Sequence, residues 1–310
     1  MALVTRRGVA ERVLAAVERQ SWIDGASDRL QGGIAAAFRA GGPVGRRIKN
    51  ALHGTWLGHP LHPVFTDVPL GAWSVALVLD FLESRDRGRS SRRGRAPGRG
   101  ADAAIAIGLV GAAGAAVTGL TDWQHTSGGP RRAGMLHGVL NTTATLLYGA
   151  SLLARARGAR GAGRSLSLAG YAAMCTAAYL GGELVYRARI GVDHAPRVDD
   201  GWDPPRQWTD VAAEAELRDG RPYRVGVAGQ RVVLARRRDG QVCALADTCA
   251  HLGGPLSEGT LEEAAIVCPW HGSRFSLEDG RVLDGPATHP QPCLDARARA
   301  GRIEVRRSVG

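Results

Sequence analysis

The stretches CAHLGGPLSEG at 249–259 and IVCPWHGSRFSLEDG at 266–280 decide how the last third of this 310-residue chain must be built. Each holds one thiol and one imidazole in close spacing, Cys249 with His251 and Cys268 with His271. Together they offer two sulfurs and two nitrogens. That is the donor set of a [2Fe–2S] cluster in which two His replace two Cys on one iron and raise its potential. A Cys2His2 zinc site uses the same atoms but usually draws its pairs Cys with Cys and His with His. Here each pair mixes the two types, which disfavours zinc. With five Cys and nine His in the whole chain, coincidence is a poor explanation for so compact a set.

Together with VLDGPATHP at 282–290, these segments closely resemble the Rieske family, and the resemblance covers about 207–306. It implies that Cys249 and Cys268 hold one iron of a [2Fe–2S] cluster and that His251 and His271 hold the other. Gly253, Gly254 and Gly272 then read as loop glycines that permit positive φ and a close backbone approach. The run 284–287 resembles the third loop that covers such clusters. Two departures stand out. High-potential members carry an extra Cys in each ligand loop, and those two Cys form a disulfide; Gly254 and Trp270 occupy the positions here. The family's Tyr after the second ligand pair is Phe275, while Ser273 retains a hydroxyl. With Ser273 and Trp270 as the cluster's surroundings, the resemblance implies the ferredoxin-like branch. Its potential should fall in the lower part of a range of roughly −150 to +300 mV.

Cys243 and Cys293 sit in apolar, strand-like stretches and read as small buried hydrophobes, with a disulfide between them as the alternative. The runs 223–227, 231–235, 242–246 and 302–305 are β-rich and separated by Gly- or Asp-containing turns. This predicts an all-β module.

Length suggests a second domain, and charge agrees. Residues 207–310 balance their acidic and basic side chains, so the whole net charge of +11 falls on 1–206. Those basic residues separate apolar runs instead of lying among aromatics, so nucleic acid is not expected as a partner. Nearly all are Arg, and Lys49 is the only Lys. Four runs reach membrane-spanning length, at about 20 residues each: 64–82, 103–120, 133–154 and 166–186. The expected architecture is therefore two-domain. An N-terminal arm over 1–58 is partly helical or flexible. An all-α four-helix transmembrane bundle at 59–195 and a linker at 196–206 follow, and the all-β Rieske [2Fe–2S] domain occupies 207–306. Gly108, Gly111, Gly114 and Ala115 would let helices approach closely in lipid. No cleavable signal peptide is visible, because Glu11, Glu18, Asp24 and Asp28 interrupt any apolar core.

With four spans, His59, His62, His125 and His137 all fall near one membrane face, the face that carries the C-terminal domain. Imidazoles from different helices could ligate a haem b, bind a metal or contact a quinone; the other reading is interfacial anchoring. The segments GHPLHPVFTDVPLGAW (58–73), TDWQH (121–125), MLHGVLN (135–141) and GGELVYR (181–187) resemble an uncharacterised bacterial family of four-helix membrane domains. Glu183 stands where many of its members have His.

The expected protein is a membrane-tethered carrier of single electrons in a bacterial inner membrane. It would pass them between a membrane-face haem, metal or quinone and a partner such as a reductase or oxygenase. The absent bridging Cys and export signal place the cluster on the cytoplasmic side, although the short Arg-rich loops argue the reverse. Few residues follow 306, so a complete terminal oxygenase is not expected, and no catalytic residues are visible. The alternatives are the ferredoxin component of a separately encoded oxygenase and a redox- or oxygen-sensing or assembly module.

Overall fold

The computed structural model describes residues 9–86 and 99–308. The N-terminal Arg pair and most of the Arg-rich first interspan loop lie outside the described residues. The chain divides into two compact units, 1–37 with 61–190 and 38–60 with 191–310.

The first unit is helical. α1 (Val9–Glu18) and α2 (Asp24–Ala40) precede four long helices. These are α4 (His62–Asp86), α5 (Arg99–Trp123), α6 (Gly128–Ala156) and α7 (Arg160–Tyr186). α4 starts on His62-Pro63, where a proline costs nothing because first-turn amides lack helical partners. α4 pairs antiparallel with α5, and α6 with α7. The first hairpin closes on glycine: a Cβ on Gly108 would lie 2.1 Å from Trp73, one on Gly111 2.5 Å from Val68, and one on Gly114 2.4 Å from Phe65. The sequence expectation of tight helix approach along this stripe therefore holds.

Two helices, His62–Ser84 and Arg99–Trp123, are long and apolar enough to cross a membrane. α6 and α7 have the length, at 29 and 27 residues, but are less apolar. Four spans are expected, and apolarity alone supports two among the described residues, because polar residues within the other pair, such as His137 and Asn141 in α6 and Ser167 and Glu183 in α7, lower their apolarity. Large apolar side chains nonetheless point outward from all four helices, among them Val78, Val110, Leu146 and Leu168. The polar groups turn inward. Arg155 is buried and donates to Asp80 at 2.8 Å, Asp102 at 3.3 Å, Ser151 at 3.0 Å and Ser167 at 3.0 Å. Arg160 bonds Asp102 and Arg164 bonds Glu83, so all four helices are tied at this level. At the other end, Arg132 forks onto Asp24 of α2 (2.9 and 2.5 Å), and Arg131 bonds the same carboxylate.

The two hairpins repeat one another. Adding 75 to a residue of α4 gives its counterpart in α6, and counterparts touch. Trp73 stacks on Tyr148 with ring centroids 4.0 Å apart, Asp80 pairs with Arg155, and His62 faces His137 at 6.3 Å. Adding 62 relates α5 to α7: Gly108 lies under Trp73 as Gly170 lies under Tyr148. Contacts between equivalent positions are what a pseudo-twofold axis along the bundle produces.

The second unit opens with α3 (Gly42–His53), which ends on Gly54 at φ 81°, a left-handed cap that glycine supplies without strain. Ten antiparallel strands follow in two sheets. The larger has the order β1-β10-β9-β4-β3-β2, formed by β1 (Thr209–Ala213), β2 (Tyr223–Val227), β3 (Gln230–Arg236), β4 (Val242–Ala246), β9 (Cys293–Arg299) and β10 (Arg302–Arg307). The smaller runs β5-β6-β7-β8, from β5 (Thr260–Glu262), β6 (Ala265–Val267), β7 (Arg274–Ser276) and β8 (Val282–Asp284). Both faces of β3 and β4 are covered. Val232, Leu234, Val242 and Ala244 enter one core, while Val233, Ala235, Cys243 and Leu245 enter the other, which reaches Cys249 and Cys268. Alternation along a strand places them so. The four β-rich runs read from sequence are β2, β3, β4 and β10.

Removing one partner of a buried ion pair strands the other charge, at a cost of about 3–5 kcal/mol. Arg155→Ala should therefore lower the thermal midpoint of detergent-solubilised protein sharply. The double replacement Arg155→Met with Asp80→Leu should recover much of the loss.

Candidate functional site

The paired thiols and imidazoles lie on two loops of the smaller sheet's end, and the loops are built alike. In the first, the Cys249 amide donates to Gly254 O (2.8 Å) and the Gly253 amide returns to Cys249 O (2.9 Å). In the second, the Cys268 amide donates to Ser273 O (2.8 Å) and Gly272 returns to Cys268 O (3.1 Å). Gly253 and Gly272, four residues after each Cys, have φ of 79° and 74°. That conformation is why glycine stands at both places.

These closures aim the donors inward. The Cys249 and Cys268 thiols are in hydrogen-bonding contact, and each sulfur also receives amide hydrogens. Cys249 takes them from His251 and Leu252, and Cys268 from Trp270 and His271. The contact with Cys249, reinforced by those amides against the effect of burial, brings the Cys268 thiol down to about 7, while Cys249 is driven up by the same contact and by burial. The pair therefore gives up its first proton readily. The His251 and His271 rings lie 5.0 Å apart. Burial holds both imidazoles below the usual His range, with the neighbouring His271, His53 and His194 adding to it at His251 and the positive charge of Lys49 at both. A neutral imidazole is the form that binds a metal. Among the described residues, no three His, Cys, Asp or Glu side chains converge as a single zinc ion would need. Two sulfurs together and two rings together fit two irons instead.

A third loop completes the cradle. Ser273 Oγ accepts the Ala287 amide at 3.0 Å, fastening 284–287 to the second ligand loop. A Cβ on Gly254 would come within 3.0 Å of both Cys268 Sγ and the Trp270 ring. The two positions that hold bridging Cys in high-potential relatives thus face each other here without a bridge. Phe275 is fully buried in the core behind the cradle, and Trp270 is 56% exposed.

Sequence reading missed the rest of the surround. Asn50 of α3 donates to Asp284 at 2.7 Å and accepts the Gly285 amide at 3.0 Å, so a helix more than 230 positions away fixes the third loop. His53 is fully buried, with its ring 3.2 Å from where a Gly285 Cβ would stand. The His194 amide bonds Ala250 O at 3.0 Å. Lys49 is partly buried, and its ammonium is held below the usual range by desolvation against the pull of Asp284. The available signal was Lys49 itself, the lone Lys of a chain that otherwise uses Arg.

Of the four His expected at a membrane face, the structure brings two together. His62 and His137 face each other in the helical unit; His125 lies half-buried in the turn after α5, and His59 is exposed in the other unit with Nδ1 3.0 Å from Pro60 O. Glu183 accepts from Tyr179 at 3.1 Å and pairs with Arg187 at 3.3 Å.

All five Cys are unbridged, which removes the alternative of a Cys243–Cys293 disulfide. Burial pushes Cys243 up to about 11 and Cys293 up to about 12. At pH 8 only about one thiol in a thousand or fewer is then the reactive thiolate. Iodoacetamide should leave both unmodified in native protein and alkylate both in urea, as read by peptide mass spectrometry.

Residues 207–295 match the Rieske [2Fe-2S] domain, which implies a [2Fe–2S] cluster, and residues 58–194 match a predicted membrane protein family (DUF2231). Ferredoxin CarAc of Metapseudomonas resinovorans is 33% identical over 98 residues, covering 32% of this chain and 92% of that ferredoxin. The oxygenase subunit of 3-chlorobenzoate-3,4-dioxygenase from Comamonas testosteroni is 30% identical over 109 residues, 35% of this chain and 24% of the subunit. Among solved structures, the ferredoxin of carbazole 1,9a-dioxygenase from Nocardioides aromaticivorans IC177 is 27% identical, covering 33% of this chain and 99% of that one at a TM-score of 0.31. The chain therefore belongs to the Rieske [2Fe–2S] family, as an iron–sulfur electron-transfer protein in which residues 58–194 add a domain of the DUF2231 type.

Proposed function

We propose that this protein is a membrane-tethered Rieske carrier that moves single electrons between a redox group at a membrane face and a partner protein. The observation that carries the reading is the cradle of two mutually bonded thiols and two neutral imidazoles on matching loops. In this reading Cys249 and Cys268 hold one iron, and His251 and His271 hold the other. The cluster supplies a one-electron couple. The protein's own part is to offer amide hydrogens to the sulfurs, keep the imidazoles neutral and close the third loop over them through Asn50 and Ser273.

The tether rests on the helical unit. At about 1.5 Å per residue, 25 residues reach beyond the roughly 30 Å apolar layer of a bilayer. Apolar side chains on the outside with ion pairs inside are the distribution that lipid favours. We assign α4–α7 to the inner membrane of a bacterium, with α6 and α7 spanning because their Arg are matched by carboxylates. The Rieske unit is assigned to the cytoplasm, since Gly254 and Trp270 leave the domain independent of a disulfide. The membrane-face group would be held by the His of the helical unit. A second reading, as the ferredoxin of a separately encoded oxygenase, is favoured by the 92% coverage of Ferredoxin CarAc. The protein partner is then an oxygenase or its reductase.

Electron paramagnetic resonance of dithionite-reduced, detergent-purified protein should show a Rieske-type signal, and Cys249→Ser or His271→Ala should abolish it. A signal that survives His271→Ala sinks the ligand assignment. Lys49 places positive charge beside the ligand imidazoles, and positive charge favours the reduced cluster. Lys49→Gln should lower the midpoint potential by about 10–60 mV, where 59 mV is a tenfold change for one electron. An unchanged potential in redox titration would remove Lys49 from the tuning of the site.

A further inference from the structure

The pseudo-twofold axis of the helical unit passes between two imidazoles held alike. His62 Nδ1 lies 2.9 Å from the carbonyl of Ala115, and His137 Nδ1 lies 2.8 Å from that of Ala177. A carbonyl can only accept, so both rings carry their hydrogen on Nδ1 and present a lone pair on Nε2. Asn141 corroborates this for His137, since its amide donates to Nε2 at 3.1 Å while also bonding the His137 carbonyl at 3.0 Å; a ligand at this Nε2 takes the place of the Asn141 hydrogen bond. A ring nitrogen anchored on a backbone carbonyl, with the other left to bind, is the usual support of a metal-ligating His.

The repeat makes the arrangement a matched pair. Elsewhere along the axis equivalent positions have diverged, Trp73 against Tyr148 and Asp80 against Arg155. At this level they are the same: His with His, each bonded to an Ala carbonyl and each lying against a glycine four residues further on. A Cβ on Gly119 would stand 2.8 Å from the His62 ring, and one on Gly181 would stand 3.1 Å from the His137 ring. Only glycine leaves both rings in place.

Spacing and ligand count select the occupant. Two imidazoles on opposite sides of one metal, with bonds of about 2.0 Å, put their ring centroids about 6 Å apart, whereas a tetrahedral ion brings them to about 5 Å. The observed 6.3 Å matches the opposed arrangement. Among the described residues, no third His, Cys, Asp or Glu completes a single-ion site. Two opposed imidazoles suit a metal whose remaining coordination comes from a cofactor, and a porphyrin supplies four equatorial nitrogens. Both residues are partly buried.

The geometry points to a haem held between the two helical hairpins, with His62 and His137 as its axial ligands. This deepens the proposed function by naming its membrane-face redox group, and rests on that reading for its role. The haem iron would take up one electron, ferric to ferrous, as the cluster loses one.

The test titrates hemin into full-length, detergent-purified protein. Expected are saturation at one haem per chain, a sharp low-spin reduced band with dithionite, and loss of both in His62→Ala and His137→Ala. His59→Ala should bind as before. His62→Met, which keeps an axial donor, should retain haem at a raised potential. Gly119→Ala, which crowds the His62 ring, should weaken binding while leaving both ligands present. The Rieske resonance is recorded on every sample. Resonance intact with no haem spectrum overturns the haem site alone, as does haem binding undiminished in the double variant His62→Ala/His137→Ala. Binding of zinc or a ubiquinone analogue at these His, without haem, also overturns it. Haem bound as expected in a chain without the Rieske resonance would instead count against the proposed electron carrier.

Discussion

Each ligand loop closes on itself through two backbone hydrogen bonds, one leaving the Cys amide and one returning to the Cys carbonyl from a glycine four residues on. That closure commits the amides around the Cys to the sulfurs and brings each His ring beside its counterpart. The rest of the β unit follows from it. The smaller sheet must present both loops at one end, β3 and β4 must be apolar on both faces to support it, and the third loop must be fastened down by groups from outside. Ser273 does this from within the ligand loop and Asn50 from α3. A side chain at Gly253 or Gly272 would strain the turn, and one at Gly254 would strike Cys268 Sγ and Trp270.

The helical unit answers a different constraint. Its hairpins are held by small residues and by charges turned inward, and both devices are repeated about one axis. The repeat places Arg155 opposite Asp80, so a charge that would be costly on an apolar surface becomes a buried clamp. It also places His62 opposite His137 at the same level of both hairpins. The proposed haem would add a one-electron site in the helical unit to the one in the β unit.

Much of this was legible along the chain. The four cluster-binding candidates, the loop glycines and the β-rich runs lie within short windows where spacing reflects local geometry. The long helices were visible as apolar runs, although polar residues such as Asn141 in α6 and Glu183 in α7 leave two rather than four of the described helices that pass on apolarity alone. The repeat was also present as pairs 75 positions apart. It escaped notice because Trp against Tyr and Asp against Arg do not look alike until they are seen in contact.

By itself, then, the sequence determined the donor set, the strand pattern and the apolar lengths, because each is a property of neighbours in the chain. Only the tertiary structure decided that α3 belongs with the β unit, that Asn50 and Lys49 serve the cradle, and that His62 and His137, not His59, form a pair with each Nδ1 on an Ala carbonyl. Those facts depend on hydrogen bonds between groups 40 to 235 residues apart, and no local spacing encodes which distant carbonyl an imidazole will meet.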